Sequence, residues 1–109
     1  MNYKELSPEQ LVAVAFHEAR HAEAAFRAKH GEPAYCGFAW VTVRPGNSKV
    51  AKILKAKYGA KIGYGGGMQV WNPGGSNTQS MDIKEEGAEA FAKVLQDAGI
   101  KASAGSRAD

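Results

Sequence analysis

The stretch GFAWVTV at residues 37–43 decides how the rest of the chain is read. Its β-branched and aromatic residues suit a pleated backbone, and a period of two sends Ala39, Val41 and Val43 to one side and Phe38, Trp40 and Thr42 to the other. One side can serve the core of a small domain. The other then carries two large rings that need a second use.

Two further stretches extend the pattern. Residues 68–71 read as a strand, and residues 100–107 as another with Ile100, Ala102 and Ala104 inward. Gln69, Trp71, Lys101, Ser103 and Arg107 then join Phe38 and Trp40 on the outer side. Helices fill the intervals. Ser7, Pro8 and Gln10 open the first as cap, first-turn proline and capping box; it runs to about residue 29 with Leu11, Ala15, Ala19, Ala22 and Phe26 on one stripe and Gly31 and Pro33 as stops. A second helix, capped by Asn47 or Ser48, puts Val50, Ile53, Leu54 and Tyr58 on one face and Lys49, Lys52, Lys55 and Lys57 on the rest. A third begins near Ser80 or Asp82, where Asp82 and Glu85 match a capping box, and ends before Gly99. The fold expected is α+β: a small sheet of about three strands with helices packed on one face, preceded by an N-terminal helix. Residues 1–35 form that helix, a candidate oligomerisation arm, and residues 36–109 the ligand-binding core.

A chain of 109 residues with 44% hydrophobic content makes one domain with a modest core. Two tryptophans are hard to bury in a monomer of this size, so a homo-oligomer is expected. The net charge of +3 is unevenly spread: residues 37–82 hold six cations and one anion, while the segments on either side are slightly acidic. Such a focus favours an anionic partner. It is weak for coating duplex DNA or a membrane surface, and a small phosphorylated ligand fits better. Cys36 is the only cysteine, which excludes an internal disulfide framework, and it is expected as a buried thiol. No apolar run reaches the length of a membrane span or signal core, so a cytoplasmic protein without a membrane partner is expected.

Rings beside cations suit a stacked base and its phosphates. Phe38, Trp40 and Trp71 are the candidate platform, with core packing or a dimer seam as the plain alternative. Arg44 ends the first strand where a helix N-terminus attracts anions, although an ordinary cap explains the same residues. Gly66, within the glycine run at 65–67, marks either a turn or a close approach to a ligand, and Tyr64 beside it could cover a ring. Gln79, Ser80 and Lys84 gather at the start of the third helix as a polar corner for phosphate or ribose, with capping alone as the simpler account of Ser80. Arg107 supplies a guanidinium at the end of the last strand. Aromatics on an open sheet also describe a single-stranded nucleic-acid module, the less favoured alternative.

His17-Glu18-Ala19-Arg20-His21 spells H-E-x-x-H, in which two histidines one turn apart bind zinc and the glutamate acts as base. That pattern would make the chain a minimal zinc hydrolase. Both imidazoles point away from the apolar stripe, however, and no good third ligand lies nearby. The preferred expectation is therefore no cofactor and no catalysis, with a solvated or oligomer-facing helix surface around His17 and His21.

From Cys36-Gly37-Phe38-Ala39-Trp40-Val41, through Tyr64 and the glycines after it, Trp71, Gln79-Ser80-Met81 and Ala90-Phe91-Ala92-Lys93-Val94-Leu95, to Ala104-Gly105-Ser106-Arg107, the chain resembles a family of short bacteriophage proteins. Its nearest association there is with the small sponge proteins that counter Thoeris-type defence by sequestering a cyclic ADP-ribose signal. The resemblance covers about two thirds of the chain. It implies a symmetric oligomer that encloses a cyclic or linear adenine nucleotide without reacting with it, and binding carried by aromatic and arginine positions. The first 35 residues depart from the family, which lacks the His17-Glu18-x-x-His21 segment.

Overall fold

The computed structural model describes residues 2–63, 65–75 and 78–108. Among them a short 3-10 turn, Tyr3–Glu5, precedes three α-helices and four strands: α1 (Pro8–His30), β1 (Gly37–Arg44), α2 (Lys49–Tyr58), β2 (Lys61–Ile62), β3 (Met68–Trp71), α3 (Met81–Asp97) and β4 (Lys101–Ala108). The fold is α+β, as its alternation of periods predicts. The sheet has four strands where the sequence suggested three. The extra one, Lys61-Ile62, is two exposed residues between the Gly59 cap and the glycine run, too short to show any period.

Sheet order is β2-β3-β1-β4, and every neighbouring pair is antiparallel. β1 and β2 therefore run the same way with β3 between them. From Gly37 onward the order β-α-β-β-α-β makes a split β-α-β arrangement, with α1 added in front.

Local chemistry sets the helix ends. Ser7 accepts from the Gln10 backbone N–H while the Gln10 side chain accepts from that of Ser7, completing the capping box. Ser48 caps α2, and Ser80, not Asp82, caps α3. The Asp82–Glu85 reading is thereby corrected: Asp82 is the second residue of the helix, within its first turn, where its charge favours the helix N-terminus.

All three helices pack on one side of the sheet. Ala39, Val41 and Val43 of β1 and Met68 and Val70 of β3 meet Leu11, Val12, Ala15 and Ala19 of α1, Leu54 of α2 and Phe91, Val94 and Leu95 of α3 in a single core. The buried line of α1 departs from the expected stripe. Glu23, 2% exposed, replaces Ala22 and Phe26 at its C-terminal end. Its carboxylate fits between Gly74 and Gly87, each of which lacks the Cβ that would collide with it.

Candidate ligand-binding face

Among the described residues no helix lies over the other side of the sheet. Register fixes which residues share it: Phe38 opposes Arg107, Trp40 lies between Trp71 and Gly105, Thr42 between Gln69 and Ser103, and Arg44 opposes Lys101. All seven residues that the sequence assigns to this face therefore share it, with Thr42 and Arg44 beside them.

Its aromatic half is one connected cluster. Trp40 and Trp71, directly opposite across β1 and β3, stack at 4.7 Å between ring centroids, and Phe38 meets Trp71 edge-on at 6.2 Å. Such pairs contribute about 0.5–1.5 kcal/mol beyond their burial. The Trp71 indole N–H donates to Gln69 Oε1 at 3.2 Å, which orients the ring. Trp71 remains 48% exposed and offers its free surface to solvent. Gly105 explains the pose of Trp40, since a Cβ there would lie 2.8 Å from the indole Nε1 and Cε2. The ring lies across β4 at the one outward position without a side chain.

Cations flank the cluster at both ends. The Arg107 guanidinium sits 5.6 Å from the Phe38 ring centroid, within cation–π range. At the opposite end Arg44 and Lys101, Thr42 and Ser103 line a hollow of about 270 Å³. Like charges directly opposite on a sheet repel, and two hydroxyls on the adjoining rung add donors. An anion seated between them would relieve that repulsion and collect several hydrogen bonds. Gly67, the outward residue of the third strand's lead-in, lets the Thr42 methyl and the Arg44 stem pack against its backbone, where a Cβ would collide with Thr42 and crowd Arg44.

The remaining sequence candidates lie elsewhere. Lys84 is buried at 9% exposure, donates to the Gly37 carbonyl at 2.9 Å and stands 5.3 Å from the Phe38 centroid, so it braces the end of β1. Ser80 is 2% exposed and its hydroxyl accepts from the Ile83 N–H as the α3 cap. Gln79 is exposed, and its carbonyl accepts from the Gly37 N–H. The polar corner expected from these three is thus occupied with fixing β1 to α3. Gly66, at φ 92°, places its carbonyl against Gly46, in the turn that follows Arg44. Tyr64 lies outside the described residues.

His17 and His21 are exposed on α1, and among the described residues no three His, Cys, Asp or Glu side chains converge as a metal site. Cys36, expected to be buried, is exposed. It precedes the first rung of β1 in an isolated bridge with Ser80, just outside the core. Among the described residues no helix is long and apolar enough to cross a membrane.

Sequence reasoning missed the roles of Gly67 and Gly105. Each looks like an ordinary turn or strand glycine until the register places it beside Arg44 or under Trp40. Comparison with protein-family models, with curated proteins and with solved structures finds no match to this chain.

Proposed function

We propose that this protein binds a nucleotide signal of the cyclic ADP-ribose type on the outer face of its sheet and sequesters it without reacting with it, as the resemblance to phage anti-Thoeris sponges suggests. The observation that carries this reading is the pairing, on one uncovered face, of an exposed tryptophan stack with a cross-strand Arg44–Lys101 pair. The base stacks on Trp71, with Trp40 behind it. Phosphates sit at Arg44 and Lys101 or at Arg107, and Thr42, Ser103 and Gln69 reach ribose or base edges. The described rungs of this face carry groups that bind, and no carboxylate, imidazole or thiol to act as base or nucleophile. A second copy of the chain, closing over the open platform, would slow release, which is what sequestration needs.

One observation favours a second reading. RNA-recognition modules also stack bases on aromatics of a four-stranded open sheet, and here the rings lie on the two central strands. The two tryptophans are stacked on each other, however, so one free stacking surface faces outward instead of a row of them. That suits a compact ligand. A steep loss of affinity with salt would favour the nucleic-acid reading, and a shallow one the nucleotide.

Lys101→Glu tests the anion seat with two opposed signs. A carboxylate facing Arg44 is expected to stabilise the fold by about 0.2–1 kcal/mol in thermal or denaturant unfolding. The same change should weaken cyclic ADP-ribose binding, read by calorimetry, by about tenfold or more, because a charge-assisted contact is replaced by repulsion. A more stable variant with unchanged affinity would remove the phosphate from this end of the face.

A further inference from the structure

A separate groove runs along the outer edge of β3, and its chemistry is not that of the open face. β2 pairs with β3 only at Lys61–Gln69 and Ile62–Met68, so β3 outlasts its neighbour. The Asn72 N–H donates to the Ala39 carbonyl on the β1 side at 2.9 Å. Backbone groups alternate along an antiparallel strand, so the N–H and C=O of Trp71 point the other way, past the end of β2. Among the described residues no backbone group meets them there. They open onto two adjoining hollows of about 440 Å³ and 310 Å³ that share Tyr58, Val70 and Trp71.

The walls are firm. Tyr58 lies against Phe16 at 4.5 Å between centroids, and Phe16 is anchored edge-on to the buried Phe91 at 4.9 Å. The floor is the turn from Asn72 to Gly75, closed by a 2.9 Å hydrogen bond from the Gly75 N–H to the Asn72 carbonyl and backed at Gly74 by the buried Glu23. Arg20, exposed on α1 and in no ion pair among the described residues, stands at the rim.

We infer that this groove is a second small-ligand site, for a planar heterocycle that presents an adjacent donor and acceptor to the main chain of Trp71, packs against Tyr58, and carries an anionic group to Arg20. An adenine-type nucleoside monophosphate has this chemistry. A peptide adding as a strand does not fit, because it needs several consecutive free rungs and this edge offers one. The groove and the open face share Trp71, whose main chain serves the first and whose indole belongs to the second. The site therefore stands whether or not the face binds a signal.

Adenosine 5′-monophosphate, titrated into the ¹⁵N-labelled full chain, gives the test. A saturable shift of the Trp71 backbone amide is expected. Affinity should fall about tenfold or more in Arg20→Ala, since a contact to a charged group is lost, and binding should vanish in Ala13→Phe, which fills the groove from an exposed helix position. It should persist in Arg107→Ala, and each variant's spectrum reports whether it is folded. An unmoved Trp71 amide would overturn the proposal. So would a shift that survives both Arg20→Ala and Ala13→Phe, or one lost in Arg107→Ala, which would place all binding on the outer face.

Discussion

Trp40→Ala and Arg107→Ala are each expected to weaken binding of a cyclic ADP-ribose-type nucleotide by about tenfold or more, since stacking of one base contributes ~1–3 kcal/mol and a hydrogen bond to a charged group ~1.5–3 kcal/mol. The two act differently. Removing Trp40 takes away the ring that supports Trp71 from behind at 4.7 Å, so the exposed indole loses its fixed pose. Removing Arg107 leaves the rings in place and deletes the cation beside Phe38. Neither side chain enters the core, which lies on the opposite side of the sheet, so both variants should stay folded, with Trp40→Ala less stable by at least the ~0.5–1.5 kcal/mol of the lost ring pair. Calorimetry on the two variants checks the claim. Unchanged affinity in both would count against the outer face as the binding surface.

Gly87→Ala is the second change expected to have a large effect, with a sign opposite to the one helix propensity gives. In an exposed helix interior, alanine is favoured over glycine by about 1 kcal/mol. At Gly87 a Cβ would meet the Glu23 side chain, and Glu23 cannot withdraw because its carboxylate already lies against Gly74 on the other side. Overpacking of this kind costs about 1–3 kcal/mol, so the variant should unfold at lower denaturant concentration than the parent. A gain in stability would show that the Glu23 wedge yields easily. The turn bearing Asn72 and Gly75 would then be less firmly held than its packing implies.

Much of this was legible in the chain. Seven alternating residues at 37–43 fixed β1 and both of its faces, and Ser7 with Gln10 announced the start of α1. The shared face of Phe38, Trp40, Gln69, Trp71, Lys101, Ser103 and Arg107 followed from period two alone, because antiparallel pairing conserves side-chain parity between strands. Other features depend on pairings distant in sequence. Glu23 is buried because two glycines, 51 and 64 positions further on, make room for it, and no periodicity on α1 records that. Cys36 sits one residue before the buried Gly37, where a one-position change carries a thiol from core to solvent. The groove at Trp71 exists because β2 begins only at Lys61, opposite Gln69, and a strand of two residues leaves no sequence signal. Ser80 and Lys84 looked like ligand groups since hydroxyls and ammonium groups at a helix start often are. Their hydrogen bonds to the Ile83 N–H and the Gly37 carbonyl give them structural work that no local spacing announces.

Both tryptophans of the chain stand on the outer face, so their emission responds when that face is occupied, and Ala13→Phe, which fills the groove beside Trp71, confines the signal to it. Titration with cyclic ADP-ribose, followed by denaturation and mass analysis of the released ligand, is the most direct measurement. Saturable quenching with the nucleotide recovered unaltered is the expected result. Indole emission indifferent to the nucleotide, or a chemically changed product, would contradict the account.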